Sequence, residues 1–154
     1  MKTTGHGPAS WAQMLALDAE QAKRSATLSA LSMLVPSLSA SGPWPGLYRS
    51  LIAAARRGVR VEILLAAPSK SHPATAQNAT MARRAHDSGL IVGLVPGPAL
   101  LHAKTALFDN SIAWAGSGNF TAAAARHNWE FWFRSTDGDS VDALASFHNT
   151  LRGL

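Results

Sequence analysis

Apolar and polar positions follow a rhythm that sets out most of the elements of this chain. From Ser10 to about Lys23, Trp11, Met14, Leu15 and Ala22 recur at helical spacing, which predicts a short helix capped by the serine. Residues 26–35, ATLSALSMLV, form an apolar run ended by Pro36 and read as a buried strand. SLSASGPWPG is loop by composition. Leu47 to Arg57 predicts a helix that Gly58 stops, and in VRVEILLAA the alternation of Val59, Val61, Ile63 and Leu65 predicts a strand. The loop PSKSHP follows, then an Ala-rich helix to about Asp87 with Gly89 as its stop, then the short strand LIVGLV. A β, α, β, α, β alternation predicts parallel strands joined by helical crossovers.

After Pro98 the strands come closer together: LLHAKTALF, a turn at Asp109-Asn110, then SIAWAGSGN. A short helix, TAAAARH, leads to the strand WEFWFRS, and a last helix runs from near Asp139 to the C-terminus. In WEFWFRS, Trp129, Phe131 and Phe133 share one apolar face, while Asn128, Glu130 and Arg134 point the other way. The expected fold is α/β, a mixed sheet flanked by helices on both faces, in the order β-α-β-α-β-β-β-α-β-α. Residues 1–25 are expected to form a lead-in, disordered over residues 1–9, and a short helix. Residues 26–154 are expected to form a single domain without internal repeats.

Composition sharpens this picture. Of the 154 residues, 47% are hydrophobic, but much of that is alanine. Leu, Ile, Val and Phe make up only about a fifth of the chain, near the low edge for globular domains. A charged fraction of 15% argues against disorder. The expectation is a folded chain with a lean core that gains from burying more surface against a partner. The absence of cysteine excludes disulfides, thiolate metal sites and a Cys nucleophile, and leaves the redox compartment unreadable. The most apolar stretch, Leu90 to Phe108, is broken by Pro96, Pro98, His102 and Lys104, so no transmembrane span is expected. MKTTGHGPASWAQ has no apolar signal region. On that ground the chain reads as cytoplasmic, or as periplasmic if a secretory segment precedes it. The net charge of +5 and pI near 10.5 favour a polyanionic partner, either nucleic acid or an anionic membrane surface.

Candidate chemistry is concentrated between Leu101 and Glu130. His102 and Lys104 sit two apart in a predicted strand and leave the same face. Ser117 and Asn119 do the same in the next strand, where Gly116 and Gly118 leave room for another backbone or a ligand. With Glu130 from the third strand, these neighbours would gather His, Lys, Ser, Asn and Glu into one polar patch. An H-x-K pair alone is weak evidence, with a chance expectation of ~0.15 in this composition. Asp109 and the Gly116-Ser117-x-Asn119 run that follows lower this by about four orders of magnitude. Thus HAKTALFDNSIAWAGSGN matches H-x-K-x₄-D-x₆-G-S-x-N and resembles the phospholipase D superfamily signature. The resemblance runs upstream through LIAAARRGVRVEILL and downstream through NFTAAAARHNWE, where Asn128 and Glu130 take the family's expected places.

The resemblance implies cleavage of phosphodiesters in two steps through a covalent phosphohistidine. On that carry-over His102 is the nucleophile, and a histidine of a second motif protonates the leaving oxygen and then activates water or an alcohol. Lys104 and Asn119 would bind the non-bridging oxygens. Ser117 would support that phosphate pocket, and Glu130 would hold the other ring nitrogen of His102. Asp109 lies in a turn and is expected to tie down strand ends, outside the reaction centre; Gly116 is a structural motif position. No metal or cofactor is implied, because no carboxylates cluster beside the motif. Asp137, Asp139 and Asp142 read as a turn and a helix N-cap. His6, His72, His86, His127 and His148 lack ligand spacing and are expected at the surface.

One departure decides the expected assembly. Superfamily sites use two H-x-K motifs, and here no histidine other than His102 is followed two residues later by lysine. A homodimer with one composite site, His102 meeting His102 across a twofold axis, supplies the second motif. Ala66-Ala67 stand where many members carry an acid, and Leu151 where a tryptophan is common. Small, basic, single-motif members resemble the family's nonspecific endonucleases, which favours DNA or RNA as substrate. Phospholipase D or phosphatidyltransferase activity on anionic phospholipid is the alternative, with the helix near Trp11 as its membrane-docking candidate. A catalytically silent DNA-binding dimer is a third reading. Candidate substrate contacts are Trp44, Lys70 and Arg126, with Arg56, Arg57, Arg60, Arg83 and Arg84 as further phosphate contacts; Trp132 reads better as core than as a stacking residue.

Overall fold

A computed structural model describes residues 2–4, 10–37 and 39–154. Seven strands form one mixed sheet: β1 (Lys2–Thr4), β2 (Ser25–Ala30), β3 (Arg60–Ala66), β4 (Ile91–Val95), β5 (Lys104–Phe108), β6 (Ile112–Gly116) and β7 (Trp132–Ser135). Their spatial order is β1-β7-β6-β5-β2-β3-β4. Strands β2, β3 and β4 are parallel, as the alternation predicts, and β5, β6, β7 and β1 continue the sheet antiparallel from β2. The five helices are α1 (Ser10–Gln21), α2 (Pro43–Arg56), α3 (Asn78–Asp87), α4 (Ala122–Arg126) and α5 (Gly138–Arg152). The α/β architecture matches the sequence reading, with one addition. Residues 2–4, expected to be disordered, pair with β7 at the sheet edge.

Both faces of β3 are buried, as befits a central parallel strand. Val61, Ile63 and Leu65 join the core under α1 and α2, while Leu64 and Ala66 join the one under α5. The first of these cores holds Trp11, Trp44, Trp114 and Trp132 together with Leu15, Leu47, Leu51 and Phe120. Trp11 stacks on Trp132 with ring centroids 5.0 Å apart. Large rings thus supply the apolar area that the small aliphatic count withholds.

Asp109 and Asn110 have φ of 54° and 49°, both left-handed, in the tight connection Asp109–Asn110–Ser111 between β5 and β6. The Asp109 carboxylate accepts the backbone N–H groups of Lys23, Arg24 and Ser25 at 2.7–3.2 Å and so fastens this turn to the start of β2. Burial pushes its pKa up, but those N–H groups outweigh burial and hold it below the usual carboxylate value. At the start of α5, Asp137 caps the Ser140 N–H at 3.2 Å.

Residues 1 and 5–9, His6 among them, lie outside the described residues, and of the described histidines one departs from expectation. His148 is fully buried under the sheet, because Thr105 offers its Nε2 a hydroxyl partner at 2.8 Å. Thr105 pairs in turn with Ser29 at 2.7 Å, and Ser29 Oγ donates to the Ala103 carbonyl at 3.2 Å. Burial, reinforced by the Arg152 charge and partly opposed by Glu62, pulls the His148 pKa from 6.5 down to about 4. Above pH 6.5 the imidazole is neutral in folded and unfolded chains alike. Between 6.5 and 4 only the unfolded chain takes up the proton, so stability falls as the pH drops, by roughly 3 kcal/mol across the window. Thermal melts from pH 7.5 to 4.5 should show this fall, and a His148→Gln variant should show it reduced. An equal fall in both would mean that other groups cause it.

Candidate active site

The H-x-K segment enters the sheet at β5. The ladder begins only at Lys104, and His102 lies before it on extended chain without strand pairing. The two side chains nevertheless converge, as their two-residue spacing predicts, and Lys104 Nζ donates to His102 Nδ1 at 3.0 Å. Lys104 is buried and His102 is exposed. Burial lowers the Lys104 pKa, and the nearby Glu130 charge works in the opposite direction. The Ser29 bond to the Ala103 carbonyl holds the residue between them, so the chain Ala103–Ser29–Thr105–His148 braces the pair from behind.

Strand β6 ends at Gly116, so Ser117 and Asn119 lie beyond it and no longer share a strand face. Ser117 Oγ donates a short hydrogen bond to the Glu130 carboxylate and accepts the Phe131 N–H at 3.0 Å. Asn119 Oδ1 instead accepts the Ser32 N–H at 3.2 Å, past the end of β2. Nearby, the buried Asn78 of α3 donates to the Leu31 and Ala66 carbonyls at 2.8 Å each, bridging the ends of β2 and β3. This clamp carried no motif and was invisible in the sequence.

Glu130 departs from its expected role. Its carboxylate takes Ser117 and, at 3.4 Å, Asn128 Nδ2, and no hydrogen bond joins it to His102. The space expected for a ligand beside Gly116 and Gly118 is also taken. A side chain at Gly116 would run into the Trp132 indole, and one at Gly118 would meet Trp11 and Trp132. Gly116 is therefore structural, and Asp109 sits at the far end of β5 from His102, in the hairpin turn.

The expected substrate contacts divide. Trp44 is 1% exposed and its Nε1 donates to the Leu34 carbonyl, so it cannot stack on a ligand. Its place in the Gly-Pro-rich segment suggested a loop, but α2 begins at Pro43 and draws the ring into the core. Trp132 is buried, as its core reading predicts. Lys70 is exposed in the loop after β3. Arg126 is exposed at the end of α4, where its guanidinium lies over Gly42. The apolar face shared by Trp129, Phe131 and Phe133 points outward, and all three are exposed. The α5 helix covers Thr105 on that side and leaves the adjoining Ala115 and Phe133 open.

Among the described residues no helix is long and apolar enough to cross a membrane. No curated sequence relative matches. Solved structures do. A phospholipase D family member, Nuc from Salmonella typhimurium, is 20% identical and superposes with a TM-score of 0.78, covering 99% of this chain and 93% of that one. NucT from Helicobacter pylori is 16% identical with a TM-score of 0.74, covering 99% and 94%. Phosphatidylserine synthase from Haemophilus influenzae is 14% identical with a TM-score of 0.68, covering 96% of this chain but 35% of that enzyme. At these identities the likeness is one of fold. The family model described as "Cardiolipin synthase, PLD-like domain" matches residues 20–151, nearly the whole sheet and every motif residue. The chain belongs to the phospholipase D superfamily, whose fold acts on phosphodiesters, and carries a single motif of it.

Proposed function

We propose that this chain is a metal-independent nuclease that cleaves DNA or RNA through a phosphohistidine and works as a homodimer. The observation that carries the reading is the His102–Lys104 pair, bonded at 3.0 Å, beside the Ser117–Glu130 pair at the exposed end of the sheet. In the free protein Lys104 holds a ring nitrogen of His102. An arriving phosphate draws the ammonium to its non-bridging oxygens and frees that lone pair for attack. A phosphorus–nitrogen bond forms as the phosphorus–oxygen bond breaks, and the leaving oxygen takes its proton from the partner's His102. That imidazole then removes a proton from water, which attacks phosphorus and releases His102. Asn119 and Ser117 complete the phosphate pocket, and Glu130 orients Ser117.

Two features favour nucleic acid, while the net charge of +5 fits either polyanion. Chains of this size, Nuc and NucT, match over nearly their whole length, whereas phosphatidylserine synthase is about three times as long as the part matched. The helix proposed to dock on membrane, α1, spends Trp11 and Leu15 on the core. Phosphatidyl transfer is the second reading, favoured by the description of the family model.

Incubation in EDTA with plasmid DNA, RNA and anionic phospholipid vesicles tests the reading, with His102→Ala alongside. Cleavage of nucleic acid that the substitution removes is the expected result. Lipid turnover alone would establish the second reading, and salt-sensitive DNA binding without turnover would make the protein a binding dimer. Light scattering on the active species should give the mass of two chains; an active monomer would overturn the composite site.

A further inference from the structure

Beneath α5 the sheet buries polar side chains where a lean core could least spare apolar ones. Ser29, Thr105 and His148 are buried there, and so are Thr27 and Glu62. Polar groups are taken out of water at a cost that only well-paired hydrogen bonds offset. Arg152, one turn beyond His148, donates to Glu62 at 2.8 Å and to Thr27 at 3.3 Å, which pins α5 to β3 and β2. Ser29, Thr105 and His148 form a separate line that ends on the Ala103 carbonyl.

Counting protons gives that line a direction. A hydroxyl has one proton to donate. Ser29 spends its own on the Ala103 carbonyl at 3.2 Å, so Thr105 is the donor in the 2.7 Å bond between the two hydroxyls. With the Thr105 proton used, the 2.8 Å contact to His148 is a bond that Nε2–H donates. The neutral imidazole therefore carries its proton on Nε2. Its Nδ1 is left a bare acceptor and has no partner among the described residues. An apolar side chain at this position would avoid the orphaned atom. What the histidine adds is an N–H at the head of the line.

The line ends where the ladder stops supporting the reactive segment. Pairing of β2 with β5 closes at Ser29 and Thr105, and β5 itself starts at Lys104. Ala103 lies beyond that start, between His102 and Lys104. Adjacent strand residues point to opposite faces, so Lys104 faces away from Thr105 and the line reaches the reactive pair through the backbone alone. We infer that His148, acting through Thr105 and Ser29, is a positioning residue that fixes the Ala103 peptide and with it the angle from which His102 attacks phosphorus. The inference rests on the phosphohistidine part of the function proposed above and holds for whichever phosphodiester is cut.

The experiment measures turnover of bis(p-nitrophenyl) phosphate. Ser29→Ala and Thr105→Val should each lower kcat by roughly a hundredfold and leave KM nearly unchanged, because attack is misaligned while the phosphate contacts remain. Thr105→Ser, which restores the hydroxyl, should recover most of kcat. His148→Leu should behave like Thr105→Val, and His148→Gln, which keeps an N–H donor, should stay near wild type. The double variant of Ser29→Ala with Thr105→Val should lose no more than either single one, as expected of links in one line. Leu15→Ala, which hollows the core beneath α1, should melt lower and keep its kcat. A wild-type kcat in Ser29→Ala would overturn the inference, as would a loss in Leu15→Ala matching that in Thr105→Val, which would make the effect one of stability. A change of mass by light scattering in the variants of the line would overturn it too, by assigning the effect to assembly. Wild type whose turnover is absent, or survives His102→Ala, would remove the phosphohistidine reading and the inference together.

Discussion

Replacing His102 by alanine is expected to lower phosphodiester turnover by roughly four orders of magnitude or more and to leave the protein as stable as wild type. The two halves of this result have separate causes. His102 is exposed and its hydrogen bonds are to Lys104, so little packing is lost with it. Covalent catalysis, however, has no substitute for the attacking nitrogen. In a composite site the same substitution also removes the acid that the partner's reaction needs, so both steps fail. Turnover with a chromogenic phosphodiester and a thermal melt on the same preparation measure the two halves. A variant that keeps a tenth of its activity would rule out His102 as the nucleophile.

Gly116→Ala is expected to have the largest effect on stability, about 3 kcal/mol or more. A methyl group there collides with the Trp132 indole and with the Phe131 carbonyl oxygen, and neither can yield easily. Trp132 is held by Trp11 at 5.0 Å, Trp114 at 6.3 Å and Phe120 at 6.4 Å. The Phe131 carbonyl accepts the Ser117 N–H at 3.1 Å, so moving it also moves the Ser117–Glu130 pair. Chemical denaturation should show the loss, and a second substitution, Trp132→Leu, should recover part of it by making room. Additive losses in the double variant would mean that the ring is not the obstacle.

These cases show what was legible in the sequence. The parallel half of the fold followed from alternation in VRVEILLAA and from helices stopped by glycine, because period and punctuation are local properties. The motif string located the His102–Lys104 pair because the spacing of two survives even where the strand ladder does not. Hydrogen-bond partners were less accessible. Glu130 was assigned to His102 by resemblance, whereas Ser117 is the neighbour that its carboxylate bonds. Likewise His148 looked like any solvated helix residue, since its partner Thr105 is 43 positions away and hydroxyls leave no periodic signal. For tryptophan, alternation gave the face and not its destination. Trp44, read as a stacking contact, lies in the core, and Trp129 is exposed, because the direction in which each face points is set by which helices land on the sheet.

The sheet order has a consequence for how the site comes into being. Strand β5 pairs with β2 across a separation of about 80 residues, at the seam between the parallel and antiparallel halves. Strands β2, β3 and β4 and helices α1 to α3 all lie before Val95 and leave the ribosome first. The reactive pair belongs to the half added afterwards, and its glutamate arrives only with the residues just before β7. A chain emerging from the ribosome therefore lacks a complete site until the residues before β7 have been made. On the function proposed above, activity waits until the molecule is nearly whole.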